Sequence, residues 1–252
     1  MTRLSVVIIT RNEEQHIARC LASVRGVADE IVVVDSFSTD KTRAICQKHG
    51  ARFIRHKFEG HIEQKNFAMR QAKSPYILSL DADEALSPEL RQSILDVKNN
   101  WASDGYRINR LTNYCGAWIR HCGWYPDTKL RLLDARKGRW SGTNPHDRFE
   151  MRDHDTRLGI LNGDILHYSY NSISGHLKQV DYFTEISAKE LHAKGNRATM
   201  FQILTSPVFR FLRDYFWKRG FLDGYYGLII CAISSHASFL KYAKLRELSR
   251  NS

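Results

Sequence analysis

No stretch of about 18 uncharged apolar residues occurs in the 252-residue chain, which argues against a membrane-spanning helix. A leader peptide is also missing from the reading: Arg3 and the apolar residues 4–9 run straight into Arg11, Asn12, Glu13 and Glu14. The five cysteines are an odd number without Cys-x-x-Cys spacing, so reduced thiols are expected and a disulfide framework is not. A zinc site from Cys115, Cys122 and His121 is set aside, because the spacing lacks a second ligand pair. Repeats, low-complexity tracts and a clean linker are absent as well. Acidic residues are in deficit, 27 against 38 Lys and Arg, for a net charge of +11. That balance suits an anionic partner: nucleic acid, an anionic membrane face or a phosphorylated substrate. Hydrophobic residues make up 42% of the chain, too many for a disordered protein.

What is present begins with two alternating periods in the first ninety residues. Residues 4–9 form a continuous apolar run, as in a strand buried on both faces. Asn12, with Gln15 three residues on, is placed to cap a helix whose apolar face is Ile17, Leu21 and Val24. A second buried strand, 31–34, ends at Asp35, and "SFSTDKT" then leads into another helix. Residues 51–54 read as a third strand, 62–72 as a helix and 76–80 as a fourth strand. Ser87 caps the next helix, with Pro88 at its first position. Strand and helix in alternation imply parallel strands with right-handed crossovers. The stretch 104–170 is richer in Gly, Trp, Tyr and Arg and reads as mixed strands and long loops. From 172 onward the pattern is helical. The expected division is a domain over 1–171 and a helical region over 172–252.

"YILSLDADEALSPEL", residues 76–90, delivers Asp81, Asp83 and Glu84 from the end of a buried strand. Ligands of open parallel sheets bind at the carboxyl ends of the strands, where Asp35, Asp81 and Asp83 all fall on this reading. Asp-x-Asp alone is a weak signal, and the chain holds a second, Asp153-His154-Asp155, in a polar stretch that reads as a solvated loop. Carboxylates one residue apart repel unless a cation sits between them. Mg²⁺ or Mn²⁺, which take oxygen ligands and leave positions open for phosphate, would meet that need. Asp35 suits a ribose hydroxyl or a base N–H, or equally the cap of the following helix.

"LSVVIITRNEEQHIARCLASV", "EIVVVDSFSTDKT" and "QKNFAMRQAKSPYILSLDADE" together resemble family 2 glycosyltransferases of the GT-A fold. "GAWIRHCGWYPDTKLRLL", "GRWSGTNPHDRFE" and "LNGDILHYSY" are similar to the branch that adds glucose to the inner core of bacterial lipopolysaccharide. The resemblance runs in order over about residues 4–195. It implies an α/β GT-A fold, a Rossmann-like mixed and mainly parallel sheet flanked by helices, followed by the helical region. It also implies an inverting transferase that uses a nucleotide sugar, usually UDP-linked, and a divalent metal. Carried across, it places the nucleotide sugar at Thr10, Arg11, Asn12, Glu13, Asp35, Ser36, Lys65, Asn66, Asp81, Ala82 and Arg131. It places the metal at Asp81, Asp83 and His167. The branch shows His-Glu where this chain has His146-Asp147, so Asp147 is the expected base, with Glu150 and Asp127 as alternatives. Trp124 and Trp140 suit either stacking on a sugar or a core position.

Residues 207–245 interleave aromatics and aliphatics with Arg210, Arg213, Lys218, Arg219, Lys241 and Lys244. Basic amphipathic helices of this kind lie in a membrane interface, and a helical cap over the sheet is the competing reading. The expected picture is a cytoplasmic enzyme, peripheral at the inner membrane, with a nucleotide-sugar donor, a lipid-linked glycan acceptor and no nucleic acid. Two other readings stand beside it. A nucleotidyltransferase acting on a sugar phosphate also places carboxylates on a nucleotide-binding sheet, but the first strand is followed by no Gly-rich, Lys-containing loop. A non-catalytic nucleic-acid-binding protein would show one basic stripe with exposed aromatics, whereas the clearest basic cluster here lies among bulky aliphatics.

Overall fold

A computed structural model of the chain describes residues 1–143, 146–153 and 155–250. Asn144, Pro145 and His154 of the motifs above lie outside the described residues, as does the side chain of His146. The chain divides into two compact units, residues 1–110 with 127–168 and residues 111–126 with 169–252.

The first unit is built on four parallel strands: β1 (Ser5–Thr10), β2 (Glu30–Asp35), β3 (Arg52–Arg55) and β4 (Tyr76–Asp81). Val6, Val7 and Ile8 of β1 and Val32, Val33 and Val34 of β2 are all but sealed from water. Each such side chain contributes about 1.5–3 kcal/mol relative to exposure, which is why runs without alternation fold here. The strand order is β3-β2-β1-β4-β8-β6-β11-β5. The later members are β5 (Glu84–Leu86), β6 (Gly105–Tyr114), β8 (Asp127–Asp134) and β11 (Leu158–Tyr170), with β7 (Ala117–Ile119) pairing with β6 in the second unit. β8 runs antiparallel to β4, β6 to β8, and β5 to β11. The sheet is therefore mixed, its parallel half formed by the first four strands. A separate antiparallel ribbon, β9 (Gly138–Thr143) and β10 (His146–Met151), carries Trp140 and Asp147.

Helices α1 (Ile17–Val24), α2 (Thr42–Lys48), α3 (His61–Gln71) and α4 (Pro88–Asn99) flank the sheet. Ser87 caps α4 as the sequence predicts, its hydroxyl accepting from Leu90 N at 3.2 Å. α1 starts differently from the expectation. Its N-cap is His16, with no side-chain cap. Asn12 instead adopts φ 53° and accepts from Thr39 N at 2.8 Å, while its own N–H donates to Ser38 Oγ at 2.8 Å. Glu13 N donates to Thr42 Oγ1 at 2.9 Å and Glu14 N to Asp40 Oδ2 at 3.0 Å. The polar residues after β1 tie that loop to the loop after β2 instead of capping their own helix.

The second unit holds α5 (Ile173–Ala193), α6 (Met200–Leu212), a π-helical turn (Arg213–Trp217), a tight turn (Gly220–Asp223) and α7 (Gly224–Arg250). Tyr114, Ile119, Cys122, Ile230 and Cys231 form one of its cores. Asp223 accepts from Arg120 N at 3.2 Å and from His121 N and Nδ1, each at 2.8 Å, fixing the β7 loop against the tight turn. Burial pushes the His176 imidazole down to about 4, so it is neutral in the core, where its Nδ1 lies 3.0 Å from the Tyr114 hydroxyl. All five cysteines carry free thiols.

Gly163 in β11 has φ +88°, a left-handed conformation in which a side chain is strained. The backbone around it clasps the start of α4: Ser87 N donates to Asp164 O at 3.0 Å, and Asp164 N to Ser87 Oγ at 3.2 Å. A Cβ on Gly163 would overlap the backbone of Leu90. Gly163→Ala is therefore expected to destabilise the protein by about 1–3 kcal/mol, lowering Tm by roughly 2–4 °C per kcal/mol. A calorimetric scan in which the variant melts with the parent would contradict this packing.

Candidate functional site

The parallel strands end in register. Thr10 lies opposite Asp35 and Ile9 opposite Asp81, so the two aspartates emerge at the same edge of the sheet. Asp35 is fully buried and accepts from Ser38 N at 3.0 Å and from the Ser38 hydroxyl. Its carboxylate orders the loop that Asn12 also holds and does not cap the following helix, whose N-cap is Lys41 without a side-chain cap. Ser36 is buried and accepts from Gln64 Nε2 at 3.0 Å. Thr10 is buried, and its hydroxyl has no partner among the described residues. Arg11 is exposed on the same loop. Burial pushes the Glu13 carboxyl above its ordinary value, with Asp83 adding to the rise, and Glu13 Oε2 lies 2.8 Å from His16 Nδ1.

A ladder of alternating charges builds the floor beside this edge. Lys65, on α3, is almost wholly buried and reaches Asp147 Oδ2 at 2.8 Å and Asp81 Oδ1 at 3.2 Å. Arg131, on β8, reaches Asp81 Oδ2 at 3.0 Å and Glu84 Oε1 at 3.1 Å. Glu84 is fully buried; its Oε2 accepts from Asp81 N at 2.9 Å, and Arg110 lies 3.5 Å from its Oε1. Arg110 in turn pairs with Asp127 at 2.7 Å. Burial alone would raise the Asp81 carboxyl, but Lys65 and Arg131 more than offset it and hold Asp81 well below the usual carboxylate range. Asp81 therefore contributes stability that is present above about pH 4, its ordinary unfolded value, and lost only as pH falls toward the depressed folded one. Burial likewise acts to lower the Arg131 guanidinium, and Glu84 and Asp81 reverse it. Trp140 is buried under these cations, its ring centre 4.7 Å from Lys65 Nζ and 5.6 Å from the Arg131 guanidinium carbon.

These groups open on a cleft of about 790 Å³ within the first unit. Lys65, Asp81, Arg131, Trp140 and Asp147 line one part of it, and Arg107, Arg110, Lys129 and Arg148 make another part basic. Asp153 also lines it, so the second Asp-x-Asp touches the cleft through one exposed member. The volume lies in the range of sites that enclose small ligands, about 300–1,000 Å³.

The structure brings Lys65, Asp81, Arg131 and Asp147 together and treats other sequence candidates differently. The Asn66 carboxamide is engaged by the Trp140 backbone, donating to its carbonyl at 2.9 Å and accepting from its N–H at 3.0 Å. It holds the β9–β10 ribbon in place, and through it Asp147. Arg131 is 4% exposed and points inward to Asp81 and Glu84. Of the alternatives to Asp147, Glu150 pairs with Arg148 at 2.7 Å, and Asp127 pairs with Arg110 and Lys129. Burial would raise the Asp127 carboxyl, but Arg110 and Lys129 bring it below its ordinary value, which makes it a poorer base. Trp124 lies in the second unit, in tilted and edge contact with Tyr114, Tyr170 and His176, as a packed core residue. Glu84 and Arg110 were missed as site residues. The one signal was Glu84 itself, a third carboxylate that cannot lie beside Asp81 and Asp83 without cations.

The metal expectation can be tested on these donors. Asp83 Oδ2 and His167 Nε2 lie 3.1 Å apart, a pair of the oxygen and imidazole type that divalent ions accept. Asp81 faces two cations at ion-pair distance instead. No group of three His, Cys, Asp or Glu side chains converges on a metal position among the described residues. Two of the three expected ligands, Asp83 and His167, fit such an ion, and Asp81 is engaged by Lys65 and Arg131 instead.

The family model for glycosyl transferase family 2 matches residues 5–139, the segment that supplies Thr10, Asp35, Lys65, Asp81 and Arg131. The chain belongs to glycosyltransferase family 2. An uncharacterized glycosyltransferase of Rickettsia typhi is 33% identical over all of this chain and 89% of its own length. The lipopolysaccharide core biosynthesis glycosyltransferase LpsC of Rhizobium meliloti is 30% identical over 96% of this chain and 91% of its own. Among solved structures, residues 1–349 of S. aureus TarS in complex with UDP give a TM-score of 0.46 at 15% identity, over 99% of this chain and 92% of that one. The glycosyltransferase has the GT-A architecture, a mixed sheet flanked by helices with a C-terminal helical region.

Arg131→Met should destabilise this glycosyltransferase by about 3–5 kcal/mol, because it leaves Glu84 and Asp81 short of a buried partner. Urea denaturation of the ligand-free protein measures this, and a loss under about 1 kcal/mol would mean the ladder is not a closed network.

Proposed function

We propose that the protein is an inverting hexosyltransferase that moves glucose from a UDP-sugar to a hydroxyl of a lipopolysaccharide core or related lipid-linked glycan, working at the cytoplasmic face of the inner membrane. Residues 1–171 form the catalytic domain on this reading, and 172–252 the helical region. The observation that carries it is the buried Lys65, held between Asp81 and Asp147 on the wall of a cleft that opens at the carboxyl ends of parallel strands. The likeness to LpsC supports the acceptor class.

The nucleoside lies on this reading along the loops after β1 and β2, against Arg11, Asn12, Glu13, Asp35 and Ser36. Lys65 and Arg131 face the diphosphate, beside the turn of Asp81 and Ala82. Both cations are buried and fixed by carboxylates, so they need little reorganisation as negative charge develops on the leaving group. Asp147 changes partner as the substrates enter, from the Lys65 ammonium to the acceptor hydroxyl. It takes the hydroxyl proton as the acceptor oxygen bonds to the anomeric carbon. The bond from that carbon to the diphosphate oxygen breaks, its electron pair leaves with the nucleoside diphosphate, and configuration inverts. Mg²⁺ or Mn²⁺ dependence belongs to the same proposal: Asp83 and His167 are the residues that would hold the ion, which when bound supplies counter-charge to the diphosphate.

General base catalysis contributes typically about 10²- to 10⁴-fold. Asp147→Asn should slow sugar transfer by that order and leave UDP affinity equal to or above the parent's, since the lost base acts in the transition state and the lost carboxylate no longer competes with the diphosphate for Lys65. Asp147→Glu should retain partial activity. Transfer by Asp147→Asn at the parent rate, with Glu150→Gln or Asp127→Asn inactive, would move the base to another carboxylate.

A further inference from the structure

The second unit presents an apolar face where a core face would be expected. Phe201, Leu204, Val208 and Leu212 recur on α6 at spacings of three, four and four, the period that ordinarily marks the buried stripe of a helix. All four are exposed, Phe201 at 73%. Only Ile203 on this helix is buried. The exposure continues through the turns that follow, where Trp217 is 87% exposed and Phe221 is also open. Isolated apolar side chains on a surface are ordinary, but a run this dense marks a binding face.

Charge selects the occupant. Residues 194–246 contain nine Lys and Arg and two acidic residues, Asp214 and Asp223. Asp214 is buried and pairs with Arg210 and Arg213, and Asp223 is held by His121. The segment thus offers exposed apolar groups and cations without an exposed carboxylate among them. A second copy of the same face would bring like charges together, whereas an anionic lipid leaflet satisfies both features. No helix of the described residues is long and apolar enough to cross a membrane. α6 has 13 residues, about 20 Å at 1.5 Å per residue, against a hydrocarbon core of about 30 Å.

We infer that α6 and the two turns after it insert into one leaflet of an anionic bilayer, lying in the interface plane, with the Phe201–Leu204–Val208–Leu212 stripe in the acyl region and Trp217 at the headgroup level. This rests on the membrane part of the reading above and changes its physics. Apolar insertion anchors the protein, and the cations select the lipid. The arrangement differs from an ordinary amphipathic helix of a globular protein only in what the apolar stripe faces. Trp217 is suited to the boundary, with a large apolar ring and one N–H donor.

The test is flotation with vesicles of phosphatidylglycerol and phosphatidylethanolamine, and with phosphatidylcholine alone, at low and at high salt. The parent should float with the anionic vesicles and keep a substantial bound fraction at high salt, because screening removes the ionic contribution only. A triple variant, Phe201→Ser, Leu204→Ser and Trp217→Ser, should bind those vesicles at least about tenfold more weakly and bind UDP like the parent. Vesicle affinity unchanged in the triple variant overturns the proposal. So does a lipid-free parent that is a dimer which the same substitutions dissociate, since the face would then belong to a second copy. A parent that floats but fails to bind UDP would sink the UDP-sugar reading of the cleft and leave the insertion surface standing.

Discussion

Lys65, Arg131 and Glu84 sit almost wholly out of water beside the end of β4, and a charge there is tolerable only next to its opposite. That requirement organises the first unit. It fixes α3, which brings Lys65, against β4, which ends in Asp81. It fixes β8 through Arg131, and it ties β5 to the ladder through Glu84. Asp147 reaches the same network from the β9–β10 ribbon. Two of the carboxylates that crowd the end of β4, Asp81 and Glu84, are neutralised by protein cations, which leaves a polar, fixed and partly open wall on the cleft. Cations held by buried carboxylates are suited to a diphosphate, because the pocket is formed before the ligand arrives.

Much of this was legible in the sequence, and the reasons are particular. The continuous apolar runs of β1 and β2 could only be strands buried on both faces, and their carboxyl ends had to carry the site. Ser87 followed by Pro88 gave the start of α4. What was not legible depended on distant pairing. Asn12 has the composition of a helix cap, yet it serves the loop after β2, a partner 27 residues away. Asn66 has the position of a ligand residue, yet the Trp140 backbone occupies it. Arg131 alternates along β8 like an outward charge, and only its neighbours Asp81 and Glu84 show that it points inward. Glu84 and Arg110 were missed because a buried ion pair leaves no periodic trace.

The C-terminal region shows the opposite relation between pattern and environment. The sequence of α6 has the apolar period of a packed helix, and the structure turns that stripe to solvent. Periodicity reports that a face avoids water, and it is silent on whether protein or lipid covers it. The basic bias of the chain is similarly divided. Part of it lies around the cleft, where Arg107, Lys129 and Arg148 join the ladder's own cations. Another part lies in residues 194–246, where nine Lys and Arg stand against two acidic residues. Both distributions favour anionic partners, a diphosphate in the first unit and a lipid surface in the second.

The central claim is that the cations at the end of β4 are a diphosphate site. A crystal structure of the protein grown with UDP and Mn²⁺ tests it most directly. The account predicts both phosphates within hydrogen-bond distance of Lys65 or Arg131, the nucleoside against Asp35 and the Asn12 loop, and Asp147 released from Lys65. UDP bound elsewhere, with the Lys65–Asp81–Arg131 contacts unchanged, would contradict it and leave the ladder as a purely structural device.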